Sequence, residues 1–426
     1  MSKARVIVVG GGFSGIAAAI AATKAGAQAT LLERTDMLSG AGLRAGRLYH
    51  DLKIVSGEEA KALGGGDVFK AVESILLHRG SIMGETNSYV YNTALIDTTM
   101  RKAVEAAGVE LHRESRAVKV ENENGKLKAI TTQSGERFTG DAFVDASGTF
   151  GGLANCVKYG HGCVMCFYRC LFFGDRISIA TQAGAEELHW TRADGTPGSI
   201  GAAIAVFKES LSEELQARLE KEGAFSLPLP EELIDPSIFG QLAAGRSRSQ
   251  TSRINLVDIG IAAKCVGIGN FRLDTMRKIP GFENAQIESP MGGGGYNSVT
   301  TMSVTPREDS LRARGFANLF IAGEKAGLGG ISNAISTGML AGSNAARVAF
   351  GKEPLTLPRS TAIGDIIACR GEKMATSDDL RVPLTMAHGP YFKRMKELGF
   401  DNTDPAVIQK RIDALGLTNV LSQRLA

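Results

Sequence analysis

Residues 5–33 read RVIVVGGGFSGIAAAIAATKAGAQATLLE, and the architecture expected of the chain follows from them. Arg5–Val9 is an almost unbroken apolar run, the pattern of a parallel strand buried on both faces. It stops at glycine. Gly10, Gly12 and Gly15 then space out G-x-G-x-x-G ahead of an alanine-rich helical stretch that runs to about Ala25. Gly26 turns the chain into a second apolar strand, Gln28–Leu32, closed by Glu33. The first glycine permits a tight strand-to-helix turn, the second lets backbone N–H groups approach a pyrophosphate, and the third lets helix pack on strand. Glu33 lies 18 residues after Gly15, the distance at which a carboxylate reaches an adenosine ribose. Strand, helix, small Ala19 and terminal acid agree, so the unit reads as a dinucleotide-binding βαβ.

The remaining composition bounds what surrounds that unit. At about 150 residues per domain, 426 residues allow two or three folded units. Lys and Arg number 48 against 45 Asp and Glu, a net charge of +3, with 22% charged and 43% apolar residues. This balance lies far from the disordered corner of composition and supplies no broad polybasic field, so no nucleic-acid partner is expected. Glycine, at 52 residues, exceeds the roughly 7% average without a collagen-like period, which suits tight turns and close backbone approach to a ligand. Lys3 and Arg5 ahead of an uncharged stretch have the outline of a signal peptide, but glycines break the apolar run and it feeds a second strand. No other uncharged apolar segment approaches the roughly 20 residues that span a bilayer, so a soluble, cytoplasmic protein without a membrane partner is expected.

Two later segments choose the cofactor. Residues 116–139 alternate strand and turn, with turns at Asn124-Gly125 and Ser134-Gly135, and read as a small antiparallel meander. GDAFVDASG (140–148) resembles the segment of two-dinucleotide-binding-domain flavoproteins in which a strand after Gly-Asp ends in Ala-Thr-Gly, here Ala146-Ser147-Gly148. NLFIAGEKAGLGGISNAISTGMLAGSNAA (318–346) resembles the second FAD segment of the same superfamily. Together the three segments resemble the FAD-dependent oxidoreductases of the glutathione-reductase-like fold, and the C-terminal one is similar to tRNA-modifying, glucose-inhibited-division-type flavoproteins. The resemblance implies an α/β fold: a Rossmann-type parallel sheet plus a β-meander, with an inserted substrate domain and a helical C-terminal extension. It implies FAD contacts at Gly10, Gly12, Gly15, Glu33, Ala146 and Gly148. It also places Gly323 and Glu324 at the ribityl and pyrophosphate region, and a helix opening near Ser332 and Asn333 at the flavin pyrimidine edge. Ser14, Arg34, Gly42 and Val118 are expected alongside them. A second fingerprint for NAD(P) is absent: VGIGN (266–270) lacks the third glycine and the acid, and Gly292–Gly295 follows no strand-to-helix pattern.

Six cysteines are too few for a disulfide scaffold, yet Cys156, Cys163, Cys166 and Cys170 fall together as C-x6-C-x2-C-x3-C. A thiolate cage suits a [4Fe-4S] cluster, and C-x2-C-x3-C matches bacterial ferredoxin spacing, although Leu171 stands where ferredoxins have proline. Zinc would accept the same ligands, and Cys163 with Cys166 would serve as a redox dithiol. The iron-sulfur reading ranks first, because in this fold the chain leaving the Ala-Thr-Gly strand passes close to the flavin. Cys265 and Cys369 read as buried inert thiols.

His161, with Tyr159 in the same loop, is the candidate proton donor. Arg44 and Arg47 are candidates for holding an acidic substrate, and Tyr296, Asn297 and Arg307 are further candidates. Residues 1–155 and 311–350 are expected to form a discontinuous FAD-binding domain, 156–310 an inserted substrate and cluster domain, and 351–426 a helical extension with 11 basic and 9 acidic side chains. An amphipathic helix is expected near Glu209–Glu222 and a proline-punctuated connector at 227–236. The leading function is hydride or electron transfer between flavin and a small-molecule substrate, with a cluster as relay. A redox partner protein and a homo-oligomer are compatible with it. The alternatives are an RNA-modifying flavoprotein and an electron-transferring subunit without its own small substrate.

Overall fold

The computed structural model describes residues 4–49, 53–82, 85–148, 178–189, 203–234, 252–266, 273–291, 303–376, 384–386 and 389–425. Its centre is a five-stranded parallel sheet in the order Leu319–Ile321, Ala142–Asp145, Arg5–Val9, Gln28–Leu32, Glu110–His112. Val6, Val8, Leu31 and Val144 lose all exposure in it, as the apolar runs require of a sheet covered on both faces. The helix Phe13–Lys24 follows the first strand and is buried almost throughout its first ten residues, which its alanines allow without bulk. It ends where expected: Gly26 takes φ 101°, and the N–H groups of Gly26 and Ala27 donate to the carbonyls of Thr23 and Ala22, closing the last turn.

The long helix Ile331–Ala349 crosses Phe13–Lys24 at backbone distance. A Cβ on Gly338 would stand 2.1 Å from the Ser14 carbonyl oxygen, and one on Gly342 would stand 2.0 Å from that of Ala18. Both pairs are four residues apart, so one ridge of each helix meets the other. No side chain larger than hydrogen fits there.

The meander forms as Ala117–Glu123, Lys126–Thr132 and Arg137–Thr139. Asn124 and Gly125 both take positive φ, 51° and 81°, the conformation of a two-residue hairpin turn. Buried Asn318 fastens the meander to the parallel sheet, accepting from Leu127 N–H and donating to the carbonyls of Leu127 and Asp141. Besides a two-stranded antiparallel pair, Leu188–His189 with Ser303–Val304, two further and larger antiparallel sheets are present among the described residues. One is three-stranded, with Glu85–Tyr91 between Arg47–Tyr49 and Leu76–Ile82. The other is five-stranded, in the order Ala224–Pro228, Arg253–Asp258, Ala262–Val266, Ala203–Phe207, Ile287–Met291, over its own apolar cluster with Phe225, Leu256, Met276 and Phe282. The expected amphipathic helix covers it as Glu213–Glu222, capped by Ser212 and burying Leu215 and Leu219.

After residue 350 the chain folds back onto the N-terminal half. Glu59, fully buried, accepts from the N–H groups of Ala362 and Ile363 at the start of helix Ala362–Thr376, and from Arg411 of helix Pro405–Ala414. One carboxylate thus satisfies a buried helix terminus and a guanidinium. Among the described residues, no helix is long and apolar enough to cross a membrane.

Gly342→Ala is expected to lower stability by about 1–3 kcal/mol through overpacking, because the atom it meets is backbone and cannot swing aside. Urea unfolding of the two proteins, compared at equal m-value, checks this.

Candidate active site

The cleft lies beyond the carboxyl ends of the parallel strands, where open α/β sheets bind ligands. Its volume is about 520 Å³. Its walls are the strand ends at Val9–Gly10, Leu32–Glu33, Ala146–Gly148 and Gly323–Glu324, the loop from Arg34 to Leu43, and Glu114–Ala117 beside the meander. Two helices open into it. Gly12–Ser14 begins Phe13–Lys24, and Gly330 with Ile331 begins Ile331–Ala349. Neither N-terminus has a side-chain cap or an acid of its own first turn, and the positive end of each macrodipole faces the cleft.

The glycine loop is shaped by close contact on one side and open space on the other. Gly10 takes φ 107°, and a Cβ there would lie 2.3 Å from the Ala146 carbonyl oxygen, so strand and loop touch backbone to backbone. A Cβ on Gly15 would lie 1.8 Å from the Gly10 carbonyl, which makes Gly15 a packing residue behind the cleft. A Cβ on Gly12 would meet no protein atom within 4 Å. Among the described residues nothing fills that space, and a pyrophosphate over the helix start fits it.

Glu33 lines the cleft and is bonded within the fold. One carboxylate oxygen accepts from Gly11 N–H at 2.7 Å, and the other accepts from Thr35 N–H at 2.8 Å and from the Thr35 hydroxyl at 2.9 Å. The residue therefore clamps the glycine loop to the end of the second strand.

Opposite it lies a fully buried ion pair. Lys325 Nζ donates to Asp145 at 2.7 Å and also to the Ser178 hydroxyl. Asp145 further accepts from Ser147 N–H and Oγ and from Ala180 N–H. Burial pushes this carboxyl up, but the Lys325 ammonium and the surrounding donors outweigh burial and hold it down at about 2. The pair joins two walls of the cleft, Ala146–Gly148 and Gly323–Glu324.

Of the residues expected to touch a cofactor, Gly10, Gly12, Ser14, Glu33, Arg34, Gly42, Ala146, Gly148, Gly323 and Glu324 line this one cleft. Gly15 lies behind it. Val118 stands outside at 37% exposure, because strand alternation gives the cleft to its neighbour Ala117. Ser332 and Asn333 are buried in the first helical turn, and the cleft-facing positions of that turn are Ile331 and Ala334. Arg307 is no substrate ligand: fully buried, it donates to the carbonyls of Ala326 and Ile367 and packs the turn that carries Glu324. Arg44 and Arg47 lie in Gly42–Ala45 and Arg47–Tyr49, but their side chains are outside the described residues. His161, Tyr159, Tyr296, Asn297 and the four clustered cysteines are also outside them. Cys265 and Cys369 are buried and free, and burial pushes both thiols up. Thr35, Ser39, Asp145 and Lys325 were not anticipated. An acid ending the otherwise apolar strand AFVD is the one local signal, since a buried charge needs a partner.

Residues 5–156 match the FAD dependent oxidoreductase family. A second family, glucose inhibited division protein A, matches residues 269–353 and so includes the helix that closes the other side of the cleft. The methylenetetrahydrofolate–tRNA-(uracil-5-)-methyltransferase TrmFO of Koribacter versatilis is 37% identical over 92 residues, 22% of this chain and 20% of that protein. The tRNA uridine 5-carboxymethylaminomethyl modification enzyme MnmG of Desulfotalea psychrophila is 33% identical over 103 residues, 23% of this chain and 16% of that protein. The chain thus spans about a fifth of the length of these curated relatives. GidA of Aquifex aeolicus, in its form I crystal, superposes with a TM-score of 0.69 at 18% identity over 99% of this chain and 76% of that one. The likeness is one of fold. The expectation of no nucleic-acid partner is corrected by these relatives, which are named for action on tRNA. Net charge sums over the whole surface and does not exclude a local RNA-binding face. Cys163, Cys166, Cys170 and His161 fall in neither family match.

Lys325→Met is expected to cost about 3–5 kcal/mol at pH 7, because it strands a buried carboxylate. In the unaltered protein Asp145 ionises below its ordinary 3.8, so its stabilisation is complete above about pH 4 and is lost as pH falls toward 2. The stranded Asp145 of the variant takes up its proton at higher pH, so the stability gap measured by urea unfolding should narrow from pH 7 to pH 5.

Proposed function

We propose that the chain is an FAD-dependent enzyme whose substrate is a uridine of tRNA. The observation that carries this reading is that the two matched stretches, 5–156 and 269–353, supply opposite walls of one cleft. The relatives named for tRNA uridine chemistry support the choice of substrate.

FAD, when bound, supplies hydride or electron transfer. The residues of the chain bind and orient it. The helix start at Gly12–Ser14 takes the pyrophosphate, Glu33 holds the glycine loop beneath it and faces the ribose, and Glu114–Ala117 lies along the adenosine end. Gly323–Glu324 and the N-terminus of Ile331–Ala349 face the flavin end, where a helix dipole favours an electron-rich carbonyl edge. Ser332 and Asn333 brace that turn from within. The five-stranded antiparallel sheet is the substrate-side unit in this reading.

The FAD-loaded full chain should bind an unmodified tRNA transcript, with affinity falling at least about tenfold between about 50 and 200 mM salt. Fluorescence anisotropy measures this. The RNA reading fails if no salt-dependent binding occurs while a small molecule alone turns the flavin over.

A second reading rests on one specific observation, the C-x6-C-x2-C-x3-C spacing. There the four cysteines hold an iron-sulfur cluster that relays electrons to the flavin, with His161 of the same stretch as proton donor. Anaerobic purification followed by iron, sulfide and zinc analysis decides it. About four irons and four sulfides per chain support it, one zinc makes the site structural, and absence of all three removes it.

A further inference from the structure

A full positive charge lies inside the fold behind the turn Gly323–Ala326. Arg307 is 0% exposed. Its Nε and Nη2 donate to the Ala326 carbonyl at 3.2 Å, Nη2 donates also to that of Ile367 at 3.0 Å, and Nη1 donates to that of Glu308 at 3.2 Å. Burial pushes the guanidinium pKa down to about 10, with Asp309 opposing and the like charges of Arg370 and Arg314 adding to it. At neutral pH the group therefore stays protonated.

Holding a turn by its carbonyls does not require a charge. Carbonyl dipoles solvate a buried cation without cancelling it. The acid facing Arg307 is Asp309, whose Oδ1 stands 3.6 Å from Nη1, beyond hydrogen-bond length, and whose side chain is 41% exposed, so water screens it. Lys325 and Asp145 in the same wall face each other at 2.7 Å and offset one another. Glu324, on the cleft side of the turn, is partly exposed and screened in the same way. Gly323 and Glu324 line the cleft, and Ala326, two residues on, accepts from Arg307, so the positive field reaches the cleft through one turn of packed protein. There a charge acts more strongly than it would through water.

We propose that Arg307 sets the reduction potential of the bound flavin, biasing it toward the reduced form. The inference rests on the FAD reading above and assigns regulation of that site to a residue outside ligand contact. A hydride, two electrons and one proton, taken from a donor of the dihydronicotinamide class leaves the donor with one more positive charge and the flavin with one more negative charge. A buried cation behind the flavin end favours the second of these states over the uncharged oxidised ring.

The test uses the full-length chain loaded with FAD, as wild type, Arg307→Met, Arg307→Lys and Asp309→Asn. Each is reduced slowly without oxygen by xanthine and xanthine oxidase beside a reference dye, and the flavin and dye spectra are read together. Arg307→Met should move the equilibrium about tenfold toward oxidised flavin, about 30 mV for a two-electron couple. Arg307→Lys keeps the charge and should lie within about threefold of the wild type. Asp309→Asn removes a partly exposed counter-charge and should move the equilibrium about threefold toward reduced flavin. Should Arg307→Met fail to load, Asp309→Asn decides alone. An Asp309→Asn potential at or below that of the wild type, an Arg307→Met potential at or above it, or an Arg307→Lys shift as large as that of Arg307→Met overturns the assignment while leaving the FAD reading intact. A wild type that takes up no FAD removes that reading and this inference with it.

Discussion

The structure depends on one close crossing. Helices Phe13–Lys24 and Ile331–Ala349 are far apart in sequence and meet where Gly338 and Gly342 rest on the carbonyls of Ser14 and Ala18. Only hydrogen fits between them, so the relative position of the two helices is fixed to within a fraction of an ångström. Their N-termini therefore open on the same cleft at a set distance. Two such helix starts suit a ligand that carries an anion and an electron-rich edge.

Around that crossing, two carboxylates hold the cleft's walls without being its obvious ligands. Glu33 ties the glycine loop to the second strand through three donors, and Asp145 ties the strand before Ala146 to the turn that carries Glu324 through Lys325. Both are buried acids whose charge is met by fixed donors, which gives rigid walls at the cost of strong dependence on each partner. Asp145 also accepts from Ser147 and Ser178, so both meet at one carboxylate beside the cleft.

The parts legible in the sequence are those governed by local rules. RVIVV, the spaced glycines and Glu33 gave strand, helix and strand at Arg5–Val9, Phe13–Lys24 and Gln28–Leu32, because period, propensity and turn chemistry agree there. Asn124-Gly125 located the hairpin because few residues other than Asn and Gly take two successive positive φ values. What escaped is set by distance along the chain. The sheet of Arg47–Tyr49, Leu76–Ile82 and Glu85–Tyr91 has bulged, irregular strands whose pairing shows no clean alternation. Asp145 and Lys325 are 180 residues apart, and neither announces the other. Val118 was one residue out of register with the cleft-facing Ala117, an error that strand geometry turns into the wrong face. Arg307 looked like a ligand for an acid because a buried guanidinium bound to carbonyls has the same composition as an exposed one. The net charge misled about RNA for a related reason: a sum carries no information about placement.

The central claim is that a single FAD lies across the ends of these two helices. The most direct measurement is the flavin content of the purified full-length chain after reconstitution with FAD, read from its visible spectrum and from the nucleotide released on denaturation. The account predicts one FAD per chain with a perturbed flavin spectrum, and less than half of that occupancy in a Gly12→Glu variant, whose side chain would enter the open space at the helix start. A chain that takes up no FAD, or a Gly12→Glu variant that fills as completely as the wild type, contradicts it.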